Sequence, residues 1–459
     1  MEHRQLSYTK IAGYEPGSDV TEHNKIDLDQ KEVEAYLGQK PPDYTGASAI
    51  YNNGAHSGAY ARLTLSPLPK ALAKGATASQ VDNSAATGYI KTEKGLGVTE
   101  VDVTYTSTCI ENEKSVDRST AGCYKASGDI LIDGTVNIGT PTTVANKYRT
   151  LAGFSTKAGT KMGGQTTFEK FNTYYGYADY AHKYVTAALE GSGIFSGKDH
   201  DARVQGVKKG SAYMNVWMYV IREMEDAEDD CQAGCIACND DPVHAWDEAV
   251  AFYTGTLEGT DLTPGGGKML YALADKRCKN FGTCDGWDAS GVSEVNKAIF
   301  EQFALGRAKL QEGKCSEIPP IKDTIIKHMT IPLIQGSLRY AYKVDKLQGA
   351  SKEKAEGAVF AAAVLPMVHA CSSTAAATIS KNMKIDSAAP MADGFAAVKD
   401  AFESTYPCLG ISCKQVGGLL LTSDYYEGAA PCGLVEETSQ AYMVSGLVSI
   451  VAAILTLQF

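Results

Sequence analysis

The chain has 459 residues, 44% of them hydrophobic and 21% charged, which is enough to bury at least one large core and to build two domains or subdomains. A net charge of −11 and a pI of about 5.3 disfavour nucleic acid or an anionic lipid surface as the main partner, since both need basic surface, and make a cationic ligand more natural. Tyr outnumbers Phe by 25 to 12. Phenolate oxygen is a strong donor to ferric iron, and interface packing is the other common use of so many phenols.

Met1–Lys40 is polar, with a short helix expected over Asp29–Leu37 behind Asp27 and ended by Pro41-Pro42. It carries no apolar core of signal-peptide length. Ser48–Leu65 reads as a helix end followed by a Gly-rich turn. From Gly95 to Gly139 the period changes, and GVTEVDVTYTSTC and GDILIDGTVNIG alternate with Val, Ile, Thr and Tyr in the manner of strands. Cys109 and Cys123 flank the turn between them, where a disulfide would tie a hairpin. Residues 1–150 therefore read as an N-terminal α+β subdomain with a hairpin near 98–140. Gly153–Gln165 is the expected linker behind it.

Residues 166–385 read as a helical core. Phe168–Leu189 is aromatic on more than one side and holds Asp179 and His182 three apart, a candidate metal-binding pair. Helices are expected over Ala202–Ala227, Pro242–Glu258, Lys268–Arg277, Val292–Gln311, Ile321–Leu347 and Lys352–Met383. In the first of these, Tyr213, Trp217, Val220, Ile221 and Met224 recur at steps of three and four, so one face is apolar and Glu223 and Asp226 fall largely elsewhere. Asp241-Pro242 is a start signal for the next helix. Its first turns carry His244, Asp247 and Glu248 at i, i+3 and i+4, one imidazole and two carboxylates on a single side, with Tyr253 further along. Such groups ligate a hard, oxygen-loving metal, although acidic residues in the first turns of a helix also serve as a solvated face that favours the helix dipole.

The twelve cysteines form an even set, locally clustered as in Cys278…Cys284 and Cys408…Cys413, which suits a disulfide framework in an oxidising compartment. Cys231, Cys235 and Cys238 also have the spacing with which radical S-adenosylmethionine enzymes hold a [4Fe–4S] cluster, an alternative that an acidic helix in a cysteine-rich chain argues against. His244-Ala-Trp-Asp-Glu248 is not the HExxH pattern of zinc peptidases. Residues 386–442 read as a cysteine-containing stalk. Met443–Phe459 is an uncharged run of 17 residues and reads as a membrane anchor or a glycolipid-anchor signal. Cleavage of such a signal at Gly428-Ala429-Ala430 would discard Cys432.

REMEDA at Arg222–Ala227, the spaced cysteines, AWDEAVAFYTGTLEG at Ala245–Gly259 and LYALADKRCKNFGTC at Leu270–Cys284 resemble the algal low-iron-inducible periplasmic (Fe-assimilating) proteins and the phytotransferrins. The strong part covers roughly the middle third of the chain. The resemblance implies ferric iron binding on the extracellular face of the plasma membrane or in the periplasmic space, with carbonate as synergistic anion, and delivery by an uptake receptor or endocytic machinery rather than catalysis. Hard ferric iron then favours oxygen from Glu223, Asp226, Asp247, Glu248, Tyr253 and Asp275 with one or two imidazoles, and Arg277 is the cation that would pair with carbonate. His244 and Glu248 are the leading pair. The expected protein is mainly α (α+β), a disulfide-stapled helical ectodomain with a small β-hairpin region and a C-terminal hydrophobic anchor. A structural surface protein without metal is the remaining alternative.

Overall fold

A computed structural model describes residues 8–58, 148–234, 242–261, 266–285 and 291–433, with the backbone alone of short strand pairs between 60 and 143. The described chain is mainly helical. Short helices α1 (Thr21–Asn24), α2 (Ile26–Leu37) and α3 (Tyr44–Asn53) come first. Two single turns follow, α4 (Gly153–Thr156) and α5 (Ala158–Lys161), and then α6 (Thr166–Tyr175), α7 (Tyr180–Glu190) and α8 (His200–Lys209). A π-helical segment, Gly210–Val216, runs straight into α9 (Trp217–Gln232). The remaining helices are α10 (Pro242–Thr254), α11 (Leu270–Phe281), α12 (Glu294–Gln311), α13 (Ile318–Lys346), α14 (Ser351–Cys371), α15 (Ser373–Met383), α16 (Gly394–Glu403), α17 (Tyr406–Leu409) and α18 (Cys413–Val416).

The expected helices are present, with breaks where a glycine turn or a capping side chain enforces them. Gly176, left-handed at φ 77°, ends α6, so Phe168–Leu189 is two helices. Ser372 caps the Ala375 N–H and separates α14 from α15. Gly153–Gln165, expected as a linker, folds into α4 and α5 and buries Phe154 and Met162. Phe154 stacks on Tyr219 of α9 at 3.9 Å and meets Phe252 of α10 at 4.9 Å. The backbone of Val103–Thr106 pairs with that of Cys123–Ala126. A Cys109–Cys123 bridge, Cys235, Cys238 and the tail from 434 onward lie outside the described residues.

α10 is the central helix, packed on α9 and supported by α11 and α12. Close approach fixes the last contact: a Cβ on Gly306 would lie 2.1 Å from the Trp246 ring, whose Nε1 donates to the Phe303 carbonyl at 2.9 Å. Gly336 likewise lets α13 sit against Phe360 of α14. α14 is long and apolar enough to cross a bilayer, but 72% of its apolar window is buried inside the protein, as befits a core helix. A single buried apolar cluster runs from Ile11 to Ala429 and includes Phe395, Phe402 and Leu419.

Four disulfides are formed among the described residues: Cys231–Cys315, Cys278–Cys284, Cys371–Cys408 and Cys413–Cys432. The Cys278…Cys284 cluster closes on itself around the end of α11. Cys408 and Cys413 do not pair with each other, because the turn between α17 and α18 sends one to the end of α14 and the other to Cys432. Cys231, bridged to Cys315, has no free thiolate for an iron–sulfur cluster.

Candidate metal centre

Three side chains converge where α1 crosses the first turns of α10. His244 and Glu248 lie one turn apart on α10, and His23 comes from α1. Glu248 Oε1 is 2.8 Å from His23 Nε2 and 3.1 Å from His244 Nε2, and the two imidazoles meet edge to face at 5.2 Å. Each residue offers one donor atom within 4.8 Å of the other two. Both histidines are buried and Glu248 is nearly so. The solvated-face reading of this part of α10 does not hold: a helix packed on all sides has no such face, and Asp247 is 0% exposed.

Asp247 is not aimed at this centre. Its Oδ1 accepts from the Tyr14 hydroxyl at 2.7 Å, and its Oδ2 accepts from Gly17 N, Ser18 N and Ser18 Oγ, each at 2.8 Å. Burial pushes its carboxyl up to about 6, with the Tyr14 and Ser18 hydrogen bonds pulling the other way, so at neutral pH it is an ionised acceptor. Ser18 has one hydroxyl proton and spends it on Asp247. Ser18 Oγ also lies 3.0 Å from His244 Nδ1, so it must accept the Nδ1 proton there. The order Asp247, Ser18, His244 therefore fixes the ring and directs Nε2 at Glu248, the arrangement by which outer residues orient a metal-ligating histidine.

The electrostatics favour a cation between these donors. Burial lowers the His23 imidazole to about 3, helped by the Arg149 charge and opposed by Glu248, so the ring is neutral at pH 7. The His23 ring has almost no access to water, so it faces Glu248 as a neutral imidazole, and a hydrogen bond rather than an ion pair favours the Glu248 carboxylate against the burial that raises it. Glu223 of α9, 1% exposed, adds an oxygen: it pairs with Arg222, but Oε1 has no hydrogen-bond partner among the described residues. Burial, eased by Arg222 and reinforced by Glu248, pushes its carboxyl up to about 7. Tyr219 lies beside it, with burial and the Glu223 charge holding the phenol well above its ordinary value.

The other expected ligands lie in other surroundings. Asp226 is ion-paired to Arg222 at 2.9 Å. Tyr253 donates to Asn296 Oδ1 at 2.6 Å, and Asn296 donates to Asp275 Oδ1 at 2.8 Å, so those two belong to a network linking α10, α11 and α12. Asp179 pairs with Lys183 at 2.9 Å, while the His182 ring stacks on Tyr51 at 5.8 Å. Arg277 sits over Phe360 at 5.9 Å rather than beside Glu248; the cations acting on the centre are Arg149 and Arg222. Sequence reasoning missed His23 and Ser18, which sit in a polar, aperiodic stretch and reach the centre only by tertiary contact. No family model, curated protein or solved structure matches this chain.

Proposed function

We propose that this protein binds ferric iron as cargo for uptake, held by His23, His244 and Glu248 with Glu223 as an adjoining oxygen donor. One observation carries the reading: two imidazole nitrogens face a single carboxylate oxygen at 2.8 and 3.1 Å, and one of those rings is oriented from behind by Ser18 and Asp247. Without a metal, a proton must occupy the space between lone pairs, so metal binding would displace it. Binding rather than catalysis is proposed, with the four disulfides supporting an oxidising, extracellular or periplasmic setting. Anchorage through Met443–Phe459 and carbonate as a synergistic anion remain part of this proposal, with Arg222 or Arg149 in place of Arg277 as the neighbouring cation.

Two imidazoles and a carboxylate also suit zinc, so the test compares the two metals. Calorimetric titration with ferric nitrilotriacetate and with zinc, on wild type and on His244→Ala with Glu248→Ala, should show ferric affinity reduced tenfold or more, about 1.4 kcal/mol. Helix content by circular dichroism should be retained. Unchanged ferric affinity in the folded double variant would remove this centre from the reading, and a wild-type preference for zinc would replace the metal.

A further inference from the structure

A cavity of about 410 Å³ lies between α6, α7 and α14, and no residue of the metal centre lines it. One wall is aromatic: Tyr174, Tyr175, Tyr177, Tyr180 and Tyr184 come from the end of α6, the turn after it and the first turns of α7. These rings hold one another in place. Tyr175 stacks on Tyr180 with centroids 4.9 Å apart and an interplanar angle of 6°, and Tyr174 meets Tyr175 edge on at 5.1 Å. The Tyr175 hydroxyl donates to the Ala362 carbonyl at 2.6 Å, which ties this wall to α14. α14 contributes only methyl groups at Ala358, Ala361 and Ala362 and so leaves room that larger side chains would fill. Burial holds the Tyr180 and Tyr184 phenols well above their ordinary value, with Asp386 adding to the rise at Tyr184, so both are uncharged at neutral pH.

The rim is of a different kind. Tyr177 and Ile194, 40% and 38% exposed, are two of five large hydrophobic side chains exposed among the described residues, and both stand at this cavity. Lys384 and Ile385, just after α15, line it and also line a second cavity of about 260 Å³, which adds Lys198 and Lys354 and no carboxylate. Of the four lysines on the two linings, Lys183 is held by Asp179 at 2.9 Å, and Lys384 lies 3.8 Å from Asp386, the one carboxylate on either lining. Lys198 and Lys354 make no ion pair among the described residues. Two further carboxylates touch lining residues: Asp199 accepts from Ser351 Oγ at 2.8 Å, and Glu356, which Lys209 neutralises at 2.8 Å, accepts from Tyr340. The balance along the shared edge is still positive.

We propose that the tyrosine-lined cavity binds an aromatic acid, with its flat apolar body against the tyrosine rings and the α14 methyl groups and its acidic group at Lys384, beside the lysines of the adjoining cavity. Aromatic rings pack on one another with a gain beyond the area they bury, and an ammonium group without a close partner attracts an anion at the edge of an apolar wall. A mostly apolar cavity with a few polar groups that fix orientation is the usual form of a small-molecule site, and the volume falls within the common range of about 300–1,000 Å³. The proposal does not rest on the metal reading.

The experiment titrates the full chain with two dyes whose fluorescence rises in apolar surroundings, anilinonaphthalene sulfonate, which is an aromatic acid, and phenylnaphthylamine, its neutral counterpart. Saturable binding of the acid at one site is expected. Lys384→Gln, which alters an exposed side chain, should weaken the acid severalfold and leave the neutral dye unchanged. Ala362→Phe, which fills the cavity, should weaken both at least tenfold, and Tyr177→Ala should weaken both as well, which keeps the test valid should Ala362→Phe not fold. Naphthoate should displace the acidic dye more strongly than laurate does. No saturable binding to the wild type, or unchanged affinity in Tyr177→Ala, would overturn the site. An equal effect of Lys384→Gln on both dyes would overturn the acidic group, and stronger displacement by laurate the aromatic body.

Discussion

Ser18→Ala separates orientation of the centre from ligation. The hydroxyl makes two bonds, 2.8 Å to Asp247 Oδ2 and 3.0 Å to His244 Nδ1. Asp247 keeps Tyr14, Gly17 N and Ser18 N after the change, so the losses are one hydrogen bond to a charged acceptor, roughly 1.5–3 kcal/mol of folding stability, and the bond from His244 Nδ1. His244 loses the acceptor that fixes its tautomer, and removal of such an outer partner commonly weakens metal binding about 10- to 100-fold. Ferric titration of Ser18→Ala and Ser18→Thr, with urea unfolding of each, provides the measurement. Alanine should lower stability by roughly that amount while leaving the chain folded, and should weaken ferric binding, whereas threonine, which keeps the hydroxyl, should restore affinity. Full affinity in Ser18→Ala would refute the orienting chain from Asp247 to His244, whatever the stability result.

Burial holds the Asp27 carboxyl at about 6, against hydrogen bonds from the Leu257 and Thr256 N–H groups and with Glu258 adding to the rise. A folded pKa above the unfolded value near 4 means that the folded state holds the proton more tightly, so this stability is present at low pH and lost as pH rises through about 6. Two units correspond to about 3 kcal/mol. Urea unfolding at pH 4 and 7 should therefore shift by about that amount in favour of Asp27→Asn relative to wild type, and parallel pH profiles would contradict it. Thiol counting on the denatured, unreduced protein should find Cys231, Cys278, Cys284, Cys315, Cys371, Cys408, Cys413 and Cys432 blocked; free thiol at Cys231 would return the iron–sulfur alternative.

The mainly helical architecture, its punctuation by glycine and the start of α10 at Pro242 were legible in the sequence, because each rests on local periodicity or backbone preference. The i and i+4 pairing of His244 with Glu248 followed from the same geometry. Local pattern could not say which side of a helix would be buried. Glu223 shares α9 with an apolar face yet is sealed from water, and Asp247, one residue from Glu248, points the other way into the loop around Ser18. Nor could it join His23 to His244, Cys231 to Cys315 or Arg277 to Phe360. The sequence determined which helices form and which donor groups they carry. Tertiary packing alone decided which donors share a centre, because a buried charge or imidazole takes its role from neighbours that are close in space and remote along the chain.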